Sequence, residues 1–543
     1  LSLSKGEWKE DMNTSDVVII GGGHNGLVCA FYLARAGMKV TVLERRGVVG
    51  GAAVTEEFHP GFKNSVAAYT VSLLNPKIIA DMNLAGNGLR VVERKVQNFL
   101  PLNDSEYLET GGARTKESVA KFSNKDAEML DPYGARLEEI ADVVRGMMLQ
   151  TPPNVTEGGW LSAIPEMLKA GMQGKAFTGL NMAARRDLLA LFAQSAADYL
   201  DGWFESTPIK AVYGFDGIVG NYASPYTPGT GYVLLHHVLG EVNGKKGAWG
   251  HAIGGMGAIT QAMAKACAAL GVTIKTDAAV KEVIIENGRA VGVATESGDI
   301  YRAPIIASNL NPKLLFGKLV EPNVLPRDFR ERMERYRNGS GTFRMNVALS
   351  EMPRFTCKPE NGDHMTAGII IAPTLDYMDR AYTTARETGW SKEPIVEVLI
   401  PSTLDDNLAP KGQHVASMFC QQVQPELSDG RSWDDHREEV ADLMIATVDK
   451  MAPGFKASVL GRQILSPLDL ERTFGLVAGD IMHGALTLDQ LYAARPVLGN
   501  GSYRAPVPGL YMCGSGTHPG GGVTGAPGHN AAREIIRDRR FQR

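Results

Sequence analysis

Val17 to Ile20 is an unbroken apolar, β-branched run. It is followed by the turn Gly21-Gly22-Gly23-His24-Asn25-Gly26 and then by the mostly apolar stretch Leu27 to Ala36, which Gly37 closes. A short apolar run bounded by glycine predicts a buried strand, and the longer stretch after it a helix. Lys39 to Leu43 predicts a second strand, ending at Glu44. Strand, glycine turn, helix and strand within about 30 residues form the opening unit of a doubly wound α/β domain.

Further along, Leu137, Ile140, Val143, Val144, Met147 and Met148 recur at helical spacing, and Leu161 to Leu200 continues in a Met-rich helical style. Thr151-Pro152-Pro153 and Glu157-Gly158-Gly159 punctuate this segment as loops. The run Met147, Met148, Met167, Met172 and Met182 predicts helix core, with a pliable lipid-like pocket as the alternative. Gly254-Gly255-Met256-Gly257 opens a helix that carries Ile259, Met263, Ala266 and Leu270 on one face and stops at Gly271. Val280 to Glu286 and Arg289 to Thr295 flank Asn287-Gly288 as a hairpin, and Tyr301 to Ser308 reads as one returning strand. Thr342 to Leu349 and Ile395 to Ile400 read as strands among helices up to about Gly461.

Composition narrows the classes. The 543 residues carry 56 Lys plus Arg against 60 Asp plus Glu, a net charge of -4. That leaves no basic excess for nucleic acid. Five scattered cysteines without a C-x-x-C pair exclude a disulfide scaffold and a dithiol motif, and fit a reducing compartment: the cytoplasm, or the mitochondrial matrix of a eukaryote. No apolar run has the length to cross a bilayer, while peripheral membrane contact stays open. Leu1 to Asp11 contains no signal-like apolar region, and Met12 reads as a biological start. His236-His237 has no further ligand at metal spacing, so no metal is expected.

The candidate chemistry starts at Gly21-x-Gly23-x-x-Gly26, with Glu44 23 positions after Gly21. Gly21 permits the tight turn, Gly23 admits a pyrophosphate to the backbone, and Gly26 lets helix and strand approach. The helix N-terminus faces the diphosphate, and Glu44 can accept the hydroxyls of an unphosphorylated ribose, as in FAD or NAD. Gly50-Gly51, six residues past Glu44, resembles the doublet of glutathione-reductase-like flavoproteins. Near the C-terminus, Gly509 to Ala532 resembles a phytoene-desaturase-type flavin signature: a strand, the loop Gly514-Ser515-Gly516-Thr517-His518-Pro519-Gly520-Gly521-Gly522-Val523, and a helix. No second strand-bounded G-x-G-x-x-G is present, which argues against nicotinamide as the direct reductant.

Together with His483-Gly484, Arg495-Pro496 and Tyr503-Arg504, these motifs resemble the phytoene-desaturase-related FAD-dependent oxidoreductases over Asp16 to Ile536. The resemblance implies a Rossmann-type FAD domain assembled from 16–92, 247–307 and 467–537. It also implies an α+β substrate domain from 93–246 and 309–466, with a helical insertion. Gly21, Gly23, Gly26, Glu44, Arg46, Gly50, Gly51, Gly514, Gly522 and Val523 would line FAD, with the backbone of Val280 at the adenine. Ala52 stands where carotene desaturases carry Arg, and Ser65-Val66-Ala67 replaces their Asp-x-Gly-like segment, so a carotenoid substrate is not carried over.

The implied activity is removal of hydride from an apolar, isoprenoid- or lipid-like substrate to flavin N5, with reoxidation by oxygen, a quinone or a protein carrier. A redox-neutral flavin isomerase and a non-catalytic prenyl-protein escort are the alternatives. No Ser-His-Asp or paired-carboxylate pattern accompanies the motifs, which predicts a hydrophobic pocket. His518, His251 and His483 are the expected general acid-base groups, ranked in that order as near-neutral titrators close to the flavin segments. His24, inside the glycine turn, reads as a turn residue beside the pyrophosphate.

Overall fold

The computed structural model describes residues 13–156 and 160–541. The start-site reading of residues 1–12 and the loop signal at 157–159 fall outside the described residues. Five strands form one parallel sheet in the spatial order Thr273–Lys275, Val40–Leu43, Val17–Ile20, Ile305–Ser308 and Leu510–Met512. Val17–Ile20 and Val40–Leu43 are buried at every position, which is why both are nearly continuous aliphatic runs rather than alternating ones. Val17, Ile19, Val40 and Val42 face a helix layer that includes His24–Arg35, Gly257–Ala269 and Ala526–Phe541. Val18, Ile20 and Leu43 face the meander Val280–Glu286, Arg289–Thr295 and Ile300–Arg302.

A second, seven-stranded mixed sheet runs Val459–Leu465, Phe343–Leu349, His414–Val423, Trp390–Leu399, Gly368–Ile371, Asn98–Pro101 and Tyr107–Thr110. Helix Trp433–Met451 covers one face, and helices that include Asn124–Met148, Thr207–Asp216 and Leu375–Thr388 cover the other.

Three expectations change. Tyr301 to Ser308 is two strands: Ala303-Pro304 ends the meander, and Ile305–Ser308 enters the parallel sheet. Leu270 lies one residue past the end of its helix and is 41% exposed, so it leaves the apolar face assigned to it. Met167, Met172 and Met182 belong neither to core nor to a pocket, because their side chains point to solvent.

The N-terminal and C-terminal helices touch through glycine. A Cβ on Gly528 would lie 2.1 Å from the carbonyl oxygen of Asn25, a backbone atom that cannot yield. Gly528→Val should lower unfolding free energy by about 1–3 kcal/mol in denaturant titration, the usual cost of overpacking. Unchanged stability would mean that the two helices part without cost.

Candidate active site

The first glycine turn and the glycine doublet meet directly. Gly23 bridges Gly50, and the Gly50 N–H donates to Gly22 O at 2.9 Å. Gly21 (φ +93°) and Gly50 (φ +135°) hold backbone conformations that side chains disfavour. Gly26 and Gly514 lie behind the cavity walls: Cβ atoms there would sit 2.3 Å from Gly21 O and 2.5 Å from Asn309 O. Glu44 is buried and accepts the Gly22 N–H on Oε2 (2.8 Å) and the Arg46 N–H on Oε1 (2.9 Å), which fixes its carboxylate at the end of its strand.

Two cavities, with open volumes of about 1490 and 1330 Å³ counting their mouths, adjoin this turn. Gly21, Gly23, Glu44, Arg46, Gly50, Gly51 and Val280 line the first, and Gly522 and Val523 line the second. Both touch His24, Ala52, Leu476, His483 and Ser515, so they meet at the N-terminus of helix His24–Arg35. That helix has no side-chain cap and no acid in its first turn, leaving its first N–H groups free for an anion.

Residues 26–343 match the family described as flavin-containing amine oxidoreductase. The chain belongs to the flavin-containing amine oxidoreductase family. Pyridine nucleotide-disulfide oxidoreductase domain-containing protein 2 of Rattus norvegicus is 40% identical over 96% of this chain and 93% of its own length. Phytoene desaturase (lycopene-forming) of Pseudescherichia vulneris is 24% identical over 94% of this chain and 96% of its own. The crystal structure of an oxidoreductase from Methanosarcina mazei shares the fold, with a TM-score of 0.58 at 17% identity, covering 96% of this chain and 99% of that one.

The chain is an FAD-dependent oxidoreductase. Its first cavity fits the cofactor on evidence independent of glycine spacing. His24 Nε2, Asn25 Oδ1, Arg46 Nη1, Asn311 Nδ2 and His483 Nδ1 are buried there without any hydrogen-bond partner in the protein. Buried polar atoms are normally paired, so five such atoms on residues that line one cavity fit a polar ligand. His24 reads from the sequence as a turn residue beside the pyrophosphate; Asn25, Asn309, Asn311 and Ser515 were not singled out as cofactor contacts, and only Asn25 and Ser515 carried a local signal, their place inside a glycine turn.

The histidine expectations need correction. His518 lines neither cavity: its Nε2 bonds Met147 O at 3.1 Å, and its carbonyl accepts the Tyr503 hydroxyl. It straps the C-terminal glycine loop to helix Asn124–Met148. His251 also lines neither cavity, and its Nε2 lies 3.5 Å from Asp405 Oδ2. Burial raises the Asp405 carboxyl, but hydrogen bonds from His251, the Gly254 N–H and Asn407 outweigh that and hold it well below the carboxylate range. His483 does face both cavities. Burial, then the Arg495 charge, pushes it down to about 4; burial likewise takes His518 to about 4. Neither is a near-neutral titrator.

The second cavity also departs from a purely hydrophobic pocket. Ala67, Ala68, Val71, Leu73, Met256 and Ile259 make its wall apolar, but one end carries Tyr69, Arg94, Asp216 and Glu397. The Tyr69 hydroxyl donates to Glu397 Oε2 at 2.6 Å, and Arg94 donates to Thr70 Oγ1. Arg344 lies over the Tyr69 ring, 4.5 Å from its centroid. Asp216 ends helix Thr207–Asp216 without a hydrogen bond or ion pair to another described side chain. Burial, then the Glu397 charge, pushes its carboxyl up to about 8. The acid-base group facing this cavity near neutral pH is therefore a carboxyl that sequence reading passed over.

Gly23→Val should yield protein without flavin absorbance, since a Cβ at Gly23 already lies 2.5 Å from Asn309 Nδ2; full flavin content would place the diphosphate elsewhere. His518→Ala should keep its flavin and its rate of substrate-dependent flavin reduction while losing about 1 kcal/mol of stability with the Met147 bond. A rate loss of about 10²-fold or more would return His518 to the acid-base role.

Proposed function

We propose that this FAD-dependent oxidoreductase oxidises a mainly apolar substrate that carries one polar end, and that its electrons leave to oxygen, a quinone or a protein carrier rather than to nicotinamide. The observation that carries this reading is the meeting of the two cavities at His24, Ala52, Leu476, His483 and Ser515. A long, mostly apolar chamber thereby opens onto the dinucleotide site. In this reading 16–92, 247–307 and 467–537 hold the cofactor, while 93–246 and 309–466 shape the substrate chamber. Gly21, Gly23, Glu44, Arg46, Gly50, Gly51 and Val280 hold the nucleotide part, and Gly522 and Val523 the flavin part. Bound FAD supplies a two-electron acceptor at N5.

The chain's own task is to orient one carbon, exclude water and hold the substrate's polar end. Apolar residues such as Val71, Leu73 and Ile259 exclude water. Arg94, Glu397 and the Tyr69 hydroxyl anchor the polar end, because an unpaired polar group would be costly at this depth. Asp216 keeps its proton up to about pH 8 and so donates a hydrogen bond at neutral pH. His483, neutral above about pH 4, offers an unpartnered Nδ1 at the junction and orients rather than titrates. Phytoene desaturase (lycopene-forming), which its name places on phytoene, supports the apolar class.

Anaerobic mixing with a panel of apolar alcohols, aldehydes and isoprenoids should bleach the flavin in single turnover, whereas NADH and NADPH should not. Rapid reduction by either nucleotide would reject the proposed electron route, and product isomerised without bleaching would favour the redox-neutral alternative. If neutral Asp216 is the active form, reduction slows as pH rises through about 8. Asp216→Asn mimics that neutral form, so it should keep the rate at pH 7 and abolish the limb. A limb that survives the substitution belongs to another group.

A further inference from the structure

Helix Trp160–Thr178 is built inside out. Its polar residues Glu166, Lys169 and Gln173 turn inward: Glu166 accepts the Asn154 N–H (2.7 Å), Lys169 donates to Pro152 O (3.0 Å), and Gln173 donates to Thr151 O (3.0 Å). Four of its apolar residues turn outward, with Ile164 45%, Met167 63%, Leu168 65% and Met172 71% exposed. Spacings of three and four put these four on one face. The next helix, Met182–Ala193, continues the pattern with Met182 and Leu189 exposed. Residues 155–189 hold seven of the twelve large apolar side chains that are exposed among the described residues. An apolar concentration of this kind marks an interaction surface.

Charge identifies the occupant. The exposed charges on the two helices are Lys175, Arg185 and Arg186, all basic. Their only acids are spent inward, Glu166 on the Asn154 N–H and Lys169, and Asp187 on Arg136. In a two-fold pairing of copies this face would meet itself, basic against basic with no exposed acid among the described residues of either helix to answer. An apolar face with a purely basic fringe instead matches an anionic lipid surface, which buries the Met and Leu side chains among acyl chains and pairs the cations with head groups. Helix Met182–Ala193 also packs closely on helix Gly231–His237, where a Cβ on Gly231 would lie 2.8 Å from Leu191 O. That helix supplies His236 and His237 to the substrate cavity, so the apolar face lies one helix layer from the chamber.

We infer that Ile164, Met167, Leu168, Met172, Met182 and Leu189, fringed by Lys175, Arg185 and Arg186, dock this enzyme on an anionic bilayer surface without spanning it. The apolar face and its basic fringe would act in this way whatever the substrate. Its test is co-sedimentation of the full-length FAD-loaded protein with vesicles of phosphatidylcholine alone or mixed with phosphatidylglycerol. The protein should pellet with the mixed vesicles and release as salt is raised. Two triple variants, Met167→Gln/Leu168→Gln/Met172→Gln and Lys175→Glu/Arg185→Glu/Arg186→Glu, should each bind about tenfold more weakly or worse, with flavin content and far-UV circular dichroism unchanged. Three results would overturn the inference. The wild type could stay in the supernatant with anionic vesicles, or either variant could bind as tightly as the wild type. Light scattering could instead show a dimer that the apolar variant dissociates, making this face a contact between copies.

Discussion

Arg495 is fully buried and has no carboxylate partner among the described residues; its guanidinium is satisfied by carbonyl oxygens alone. It donates to Met482, Gly484, Ala485, Gln490 and Ser515, joining the 482–490 turns to the C-terminal glycine loop. A buried charge left unsatisfied would cost several kcal/mol, so the five carbonyls and the cation require one another. Asp480 tightens the same turn by accepting the N–H groups of Met482 and Gly484 at 2.8 and 2.7 Å. The result is electrostatic as well as mechanical. Burial pushes His236, His483 and His518 down, and the Arg495 charge adds to it, so imidazoles packed around the flavin loop stay neutral.

Around that fixed centre, access for a cofactor comes from what is missing. Glycine at 23, 50 and 514 lets backbone meet backbone or an asparagine at distances that a Cβ would forbid. Close approach removes side chains from the wall and leaves N–H groups, ring nitrogens and amides facing a cavity. The same economy does not extend to the substrate chamber, whose polar end is assembled from large side chains. There Arg344, fully buried, bonds Ala67 O, Met418 O and Ser417 Oγ and lies over Tyr69, which in turn orients Glu397.

The two regions differed in how far sequence revealed them, for a physical reason. The strand, glycine turn and helix at Val17–Arg35 follow local rules, and their spacing alone placed Gly21, Gly23 and Glu44 at a cavity. Strand His414–Val423 follows no such rule. Its last polar residues, Gln421 and Gln422, are buried because they bond backbone between Ile218 and Ala223, about 200 residues away in sequence. Tyr69 and Glu397 are 328 positions apart and meet only when the sheets pack. His518 showed the opposite failure: a place inside a flavin loop does not fix where a ring points, and here Met147 O takes it away from the cavity.

This division bears on how one cofactor scaffold serves different substrates. Gly21, Gly23, Gly50 and Gly51 line the first cavity, and at Gly23 and Gly50 there is no room for a Cβ. The polar end of the chamber rests on four side chains from separate segments, Tyr69, Arg94, Asp216 and Glu397. Among the described residues, none of the four side chains hydrogen-bonds to a glycine turn. Moving one carboxyl deeper changes its protonation chiefly through burial, with a neighbouring charge adding to it, as Asp216 and Glu397 show. Proton management can therefore shift between relatives while every cofactor motif stays the same, and a flavin signature alone leaves the substrate unspecified.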